Sequence, residues 1–338
     1  MYTDEDLKVA IENGIFTDSS VDAFRSSISE IRNSPSVDEE NFKLIGGFND
    51  IFIVIACGIF LFSSLWVVKS IADSDSLGLI TFTVLSWGLA EFFVLKRKMA
   101  LPSIVLFTSF IGGFFALILS FYASPTEGDY AVAAGLSAVF AYLHWLRFKV
   151  AITIAAGTAA GFVLLVLSSV SVFPDMREWL LTMVLFCGLA SFAFAMYWDS
   201  SDTSRTSHRS DVAFWLHLLS APLIIHPIFS ALGVLGGSES FSAMGTVIVL
   251  YLLMTFVSIV IDRRAFMLSS LVYVIYALSS LIKLYGGVGY SFAITGVFMG
   301  GAILLLSAYW HRVRIFVINQ LPNSVKSHVP KAKVNLTR

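Results

Sequence analysis

The sequence predicts an all-α polytopic integral membrane protein with about ten transmembrane helices. Three observations predict it. First, the 338-residue chain is 57% hydrophobic and only 13% charged, with a mean hydropathy of +0.81, whereas soluble domains are about a quarter charged. A water-soluble core of this length cannot absorb so much apolar surface, so most of it must face lipid. Second, the apolar residues fall into ten runs, each near the length that about 30 Å of hydrocarbon requires. Third, the polar breaks between the runs are short, and every second break is basic.

Ahead of those runs, residues 1–47 read as a small acidic helical head with its linker. Residues 1–50 carry 11 acids against 4 bases, a net of −7, while the remainder carries 12 against 18, a net of +6. Thr3 or Asp4 is placed to cap a first helix through DEDLKVAIEN, which stops at Gly14. Thr17 or Asp18 caps a second that runs to about Arg32. On it Val21, Phe24, Ile28 and Ile31 recur at helical spacing and share one face. Leu7, Ile11, Ile15 and Phe16 are the expected counterpart. Two short helices bury too little to be firmly stable alone. The head is therefore expected to lean on a protein partner, a second copy or the membrane body. The run NSPSVDEEN serves as linker. The acidic start lacks the basic-then-apolar pattern of a secretory signal.

The expected spans are 51–71, 77–95, 101–123, 130–146, 150–172, 179–198, 212–235, 241–261, 265–284 and 290–310. Spans four and five are separated only by LRFK. Fused, they would be far too long for one crossing, so a tight hairpin is expected. Segment 48–198 thus holds the first six spans, 199–211 is a polar loop, 212–310 holds the last four, and 311–338 is a basic tail.

The bases set the expected orientation. They fall at Lys96–Lys98, at Arg147 and Lys149, at Arg205 and Arg209, at Arg263 and Arg264, and along the tail. The alternate breaks hold only Lys69, Arg177 and Lys283. That pattern places both ends in the cytoplasm of a bacterial inner membrane, with the lipid bilayer as the principal partner. The basic charges are dispersed two or three per loop. Orientation explains them, and no nucleic-acid partner is expected.

An internal repeat is one reading of two further matches. Cys57-Gly58 and Cys187-Gly188 stand at an offset of 130, each followed by a tryptophan late in its span. Gly157 and Gly161 in span five match Gly296 and Gly300 in span ten. Two five-span halves of inverted orientation would produce such matches. Small residues recurring by chance in apolar helices would do so too. The four glycines read first as sites where helices pack closely. Trp66, Trp87, Trp145, Trp179, Trp198 and Trp310 lie mostly near span ends, as interfacial anchors do.

The stretch the body is arranged around is 212–236, VAFWLHLLSAPLIIHPIFSALGVLG. It alone combines two histidines, His217 and His226, with two prolines, Pro222 and Pro227. Imidazole inside lipid must find a polar partner, and each proline removes a backbone donor. The freed carbonyls suggest a broken helix lining a cavity; a packing kink is the plainer alternative. Glu91 and His144 are the other ionisable residues expected inside spans. Glu91, His144 and His217 lie near the cytoplasmic third. His226 lies about 13 Å further along its helix and half a turn round it. Together they suggest a polar layer with an outward step, suited to a proton relay. The plain alternatives pair Glu91 with Lys96 or Lys98, make His144 an interfacial residue, and let His217 bond a neighbouring helix.

No phosphate loop, zinc-binding helix motif or nucleophile elbow is present. Nor is there a paired nucleophile and base, so no enzyme activity is expected. Two cysteines are too few for a disulfide framework and lack metal-ligand spacing, so neither metal nor cofactor is expected.

The head pattern LKVAIENGIFTDSSVDAFRSSISEI, followed by a many-span body, resembles the uncharacterised bacterial membrane proteins with a short soluble helical head. The resemblance covers the head and the general layout. It implies no activity, so no functional residue is carried over. Two functions fit the whole sequence. One is a secondary transporter or proton-linked permease for a small solute. The other is a non-transporting scaffold or regulator that recruits a partner through the head.

Overall fold

A computed structural model of the chain describes residues 4–31, 48–202, 207–233, 241–284, 291–326 and 329. The chain divides into two compact units, Met1–Asn41 and Phe42–Arg338.

The first unit holds α1 (Asp4–Glu12) and α2 (Asp18–Ile31). Gly14 adopts a left-handed conformation with φ +69, which ends the first helix where a side chain would be strained. Thr17 opens the second: its hydroxyl accepts from the Ser20 N–H at 3.3 Å, and its own N–H donates to Ser20 Oγ at 2.9 Å. Val21 is buried, but Phe24, expected on the same face, is exposed. Ile15 and Phe16 are exposed, so they do not form the expected counterpart. They fall in the bend after Gly14, where the chain has left the helical face. The linker NSPSVDEEN and the side chains of Ile28 and Ile31 lie outside the described residues.

The second unit is α3 (Phe48–Ala72), α4 (Asp75–Ala90), α5 (Ala100–Leu119), α6 (Glu127–Phe148), α7 (Ile152–Val172), α8 (Leu180–Ser200), α9 (His208–Ala231), α10 (Phe241–Ile261), α11 (Ala265–Leu284), α12 (Ser291–Gln320) and the short α13 (Asn323–Lys326). A π-turn segment, Glu91–Lys96, prolongs α4, and a 3₁₀ segment, Pro174–Trp179, leads into α8. Among the described residues there is no strand. Within the described residues eight helices are long and apolar enough to cross a membrane; α10 and α11 contribute shorter apolar stretches, Gly245–Ile261 and Phe266–Ser279. The last helix continues to Gln320, so Arg312 and Arg314 are helical. The tight hairpin at LRFK is present, with Lys149 left-handed between α6 and α7.

The outer surface is apolar. Phe62, Trp66, Ile71, Val272, Phe298 and Leu304 are all strongly exposed, far beyond the apolar patches of a soluble monomer. Hydroxyls inside the helices are satisfied locally: Ser64, Thr83, Ser86 and Thr158 each donate to the carbonyl four residues earlier, at 2.7–2.8 Å. The charged ends show similar economy, as Asp129 accepts from the Thr126 N–H at 2.8 Å at the start of α6.

Helix α9 is the most enclosed of the eight membrane-length helices. Its apolar window is 56% buried, against 39% for the next, α6. It packs on α8 most closely, and also on α7 and α11. Gly188 permits that approach: a Cβ there would lie 2.8 Å from the Leu223 carbonyl carbon and from Ile224 Cγ1. Gly113 plays the same part for α5 against Phe82 and Thr83 of α4. The glycines singled out by spacing behave differently. Gly157 meets Ala141 at ordinary contact distance, 3.5 Å, while a Cβ at Gly161, Gly296 or Gly300 would meet nothing within 4 Å. Those three are therefore not close-packing positions within the described chain; Gly296 and Gly300 are on the exposed side of α12.

Candidate functional site

The site forms where α8 ends, α9 begins and the α10–α11 turn closes. Each piece is fixed locally. Asp202 Oδ2 accepts from the Ser207 N–H at 2.9 Å and from its hydroxyl at 2.6 Å, pinning the start of α9 to the end of α8. Ser207 in turn caps α9 by accepting from the Arg209 N–H. At the other turn Asp262 is left-handed, with φ 57, a conformation short polar residues tolerate better than most. The Arg263 N–H donates to the Ser258 carbonyl at 3.0 Å, and the Ser258 hydroxyl donates to the Arg263 carbonyl. This turn sends Arg263 toward α8 and α9, and Asp262 toward α12.

Asp199, His217 and Arg263 are no more than 1% exposed. Arg263 Nη2 donates to Asp199 Oδ1 at 2.7 Å, and to the Ser210 carbonyl and hydroxyl at 3.0 and 3.1 Å. Asp199 Oδ2 lies 3.1 Å from His217 Nε2. One carboxylate thus engages the guanidinium through both oxygens, Oδ2 more weakly from Nε at 3.4 Å, and shares Oδ2 with the imidazole. Phe214 underlies the guanidinium, and Phe192 and Phe266 meet the imidazole edge-on. Burying charge is costly unless it is paired and hydrogen-bonded, and here both conditions are met. A second pairing continues the cluster: the Trp310 indole N–H donates to Asp262 Oδ1 at 2.8 Å, and buried Arg314 lies 3.5 Å from the same oxygen.

The structure corrects several expectations. Glu91, His144 and His217 each have separate surroundings. Glu91 is held by Arg147 in a two-pronged bond of 2.9 and 2.8 Å, not by Lys96 or Lys98. His144 is fully buried rather than interfacial, packed against Trp87, Phe107, Phe110 and Phe148. Trp87 packs edge-on to His144. Helix α9 is not broken: it runs continuously through Pro222 and Pro227. The Leu223 carbonyl, deprived of its donor by Pro227, lies at the Gly188 contact. His226 Nδ1 lies 2.8 Å from the Tyr273 hydroxyl on α11. Trp87 packs against Phe110, His144 and Phe148, and Trp310 donates to Asp262.

Sequence reasoning missed Asp199, Ser210, Asp262, Arg263 and Arg314. Asp199 was expected in the 199–211 loop, yet α8 extends through Ser200. Arg263 was counted as an orientation charge. The available signal was the brevity of VIDRRAF, a break too short to carry both charges clear of the helices. Among the described residues no group of three or more His, Cys, Asp or Glu is arranged to hold a metal ion.

Comparison with known protein families, curated proteins and solved structures finds no match to this chain. Fold and site together define an all-helical protein with eight membrane-length apolar helices. A buried acid–base cluster sits at one end of the most enclosed one.

Proposed function

We propose that this chain is a ten-span protein of a bacterial inner membrane, with both ends cytoplasmic, acting as a proton-linked permease for a small solute. The observation that carries this reading is the Asp199–His217–Arg263 cluster on the end of α9. Imidazole titrates near neutral pH, and its charge change is felt directly by the shared carboxylate. Ionisable groups held inside a membrane protein mark solute and proton pathways more often than not. His226, paired with Tyr273, lies further along the same helix and supplies an outward step.

The test uses purified protein in liposomes under an imposed pH gradient, screened against a panel of labelled small solutes. Gradient-driven uptake of at least one solute is expected, lost on His217→Ala and His226→Ala in protein that still inserts. Uptake that is absent for the wild type, or unchanged in both variants, would overturn the reading.

The scaffold reading rests on the head, where Val9, Ile15, Phe16 and Phe24 are exposed. If it holds, deleting residues 1–45 costs function more than either histidine change does.

A further inference from the structure

A second buried imidazole lies far from α9 in the sequence, and its surroundings are of another kind. Neither ring nitrogen of His144 has a hydrogen-bond partner, although the residue is 0% exposed. Its helix presents Phe140, His144 and Phe148 at four-residue spacing on one face. Centroids of Phe148, Phe107, Trp87 and Phe110 lie 4.3, 4.9, 5.5 and 5.8 Å from the imidazole. An unsatisfied buried donor or acceptor is expensive, so a group left this way calls for an explanation.

A cavity adjoins it. Among α4, α5 and α6 lies a space of about 450 Å³ lined by Thr83, Val84, Trp87, Phe110, Phe114 and Phe140, with other apolar side chains. Trp87 and Phe110 are shared: they line the cavity and they pack against His144. Four of its walls are aromatic rings, and the strongly exposed Val84 marks its open side on the apolar exterior. Thr83 offers little polarity, because its hydroxyl is already donated to Leu79.

We propose that this cavity binds a lipid-soluble molecule whose planar ring carries a carbonyl, the chemistry of a quinone. Its ring stacks among Trp87, Phe110, Phe114 and Phe140, and its oxygen accepts from the His144 N–H once Trp87 turns aside. Trp87 and Phe110 are the side chains shared by the cavity and the imidazole, so turning Trp87 aside opens the way between them. The volume suits a small ligand, and entry from the bilayer requires an apolar one. The inference rests on the membrane embedding proposed above and is independent of transport.

The test measures the rise in unfolding temperature of the full chain in nanodiscs, with decyl-ubiquinone and with decylbenzene, which has a ring and a tail but no oxygen. The wild type should respond to the quinone at about tenfold lower concentration than to decylbenzene, and His144→Phe should remove that difference. Val84→Trp, which fills the mouth from the exposed side, should weaken both. Equal responses to both probes in wild type and His144→Phe would mean an apolar cavity only and would overturn the proposal. So would no response to either probe, or undiminished quinone binding in Val84→Trp. Each of these can occur whether or not the protein moves a solute.

Discussion

His144 and His217 are both fully buried inside membrane-length helices, yet their surroundings are opposites. His217 bonds a carboxylate that also holds a guanidinium. His144 has rings on every recorded side and no hydrogen-bond partner. The first environment places a buried carboxylate beside the ring; the second surrounds it with aromatic side chains. Burial alone therefore does not define a functional histidine. What decides is whether a compensating charge is buried with it, and α8, α9 and the α10–α11 turn supply one where α4, α5 and α6 do not.

The sharpest way to break this comparison is to remove the shared carboxylate. Asp199→Ala leaves Arg263 buried without its counter-charge, at a cost of about 3–5 kcal/mol. Thermal unfolding in a single detergent should show a large drop, or no folded protein. A change no larger than that of a surface substitution would mean that the cluster is wetter or looser than its burial indicates.

Next in size is the helix pair that carries the cluster. Gly188→Ala drives a methyl against the α9 backbone and should cost about 1–3 kcal/mol. Gly161→Ala, with open space around it, should leave the unfolding temperature unchanged. Equal effects at the two glycines would contradict the close α8–α9 approach.

The two imidazoles themselves give opposite signs. His144→Phe replaces an unsatisfied polar ring with an apolar one of similar shape and should stabilise the protein by about 1–3 kcal/mol. His217→Phe should destabilise it, because Asp199 loses a partner. The same sign for both would erase the distinction.

The smallest effect is expected at Glu91→Gln. Its bond to Arg147 is well formed but both side chains are substantially exposed, and exposed pairs contribute little. A clear loss of unfolding temperature would show that the Glu91–Arg147 pair is less screened than its exposure indicates.

Much of the architecture was legible because hydropathy and span length are properties of continuous sequence. The apolar runs, the LRFK hairpin, the Gly14 stop and the prominence of α9 all follow from local pattern. The cluster was not legible for a corresponding reason. Ser210 and His217 share a helical face, but Asp199 is 18 residues from His217 and 64 from Arg263, on other elements that no periodicity links. Asp199 and Arg263 also stand at the margins of apolar runs, where a charge reads as a loop residue or an orientation signal. His217 was legible because imidazole inside an apolar run is conspicuous by itself. Its partner was not, since a single sequence shows which groups are costly to bury but not which ones meet. The prolines misled in the opposite direction: they promised a broken helix, and the close packing around α9 holds it continuous.

The most direct measurement replaces the cluster with apolar residues of similar size, Asp199→Leu, His217→Phe and Arg263→Met together, and follows both unfolding and pH-gradient-driven uptake in liposomes. Such exchanges often leave a fold as stable as before. The expected result is a folded, inserted protein whose solute uptake no longer responds to the pH gradient. A folded triple variant that still takes up solute in response to the gradient would contradict the claim, leaving the cluster as a tie between helices.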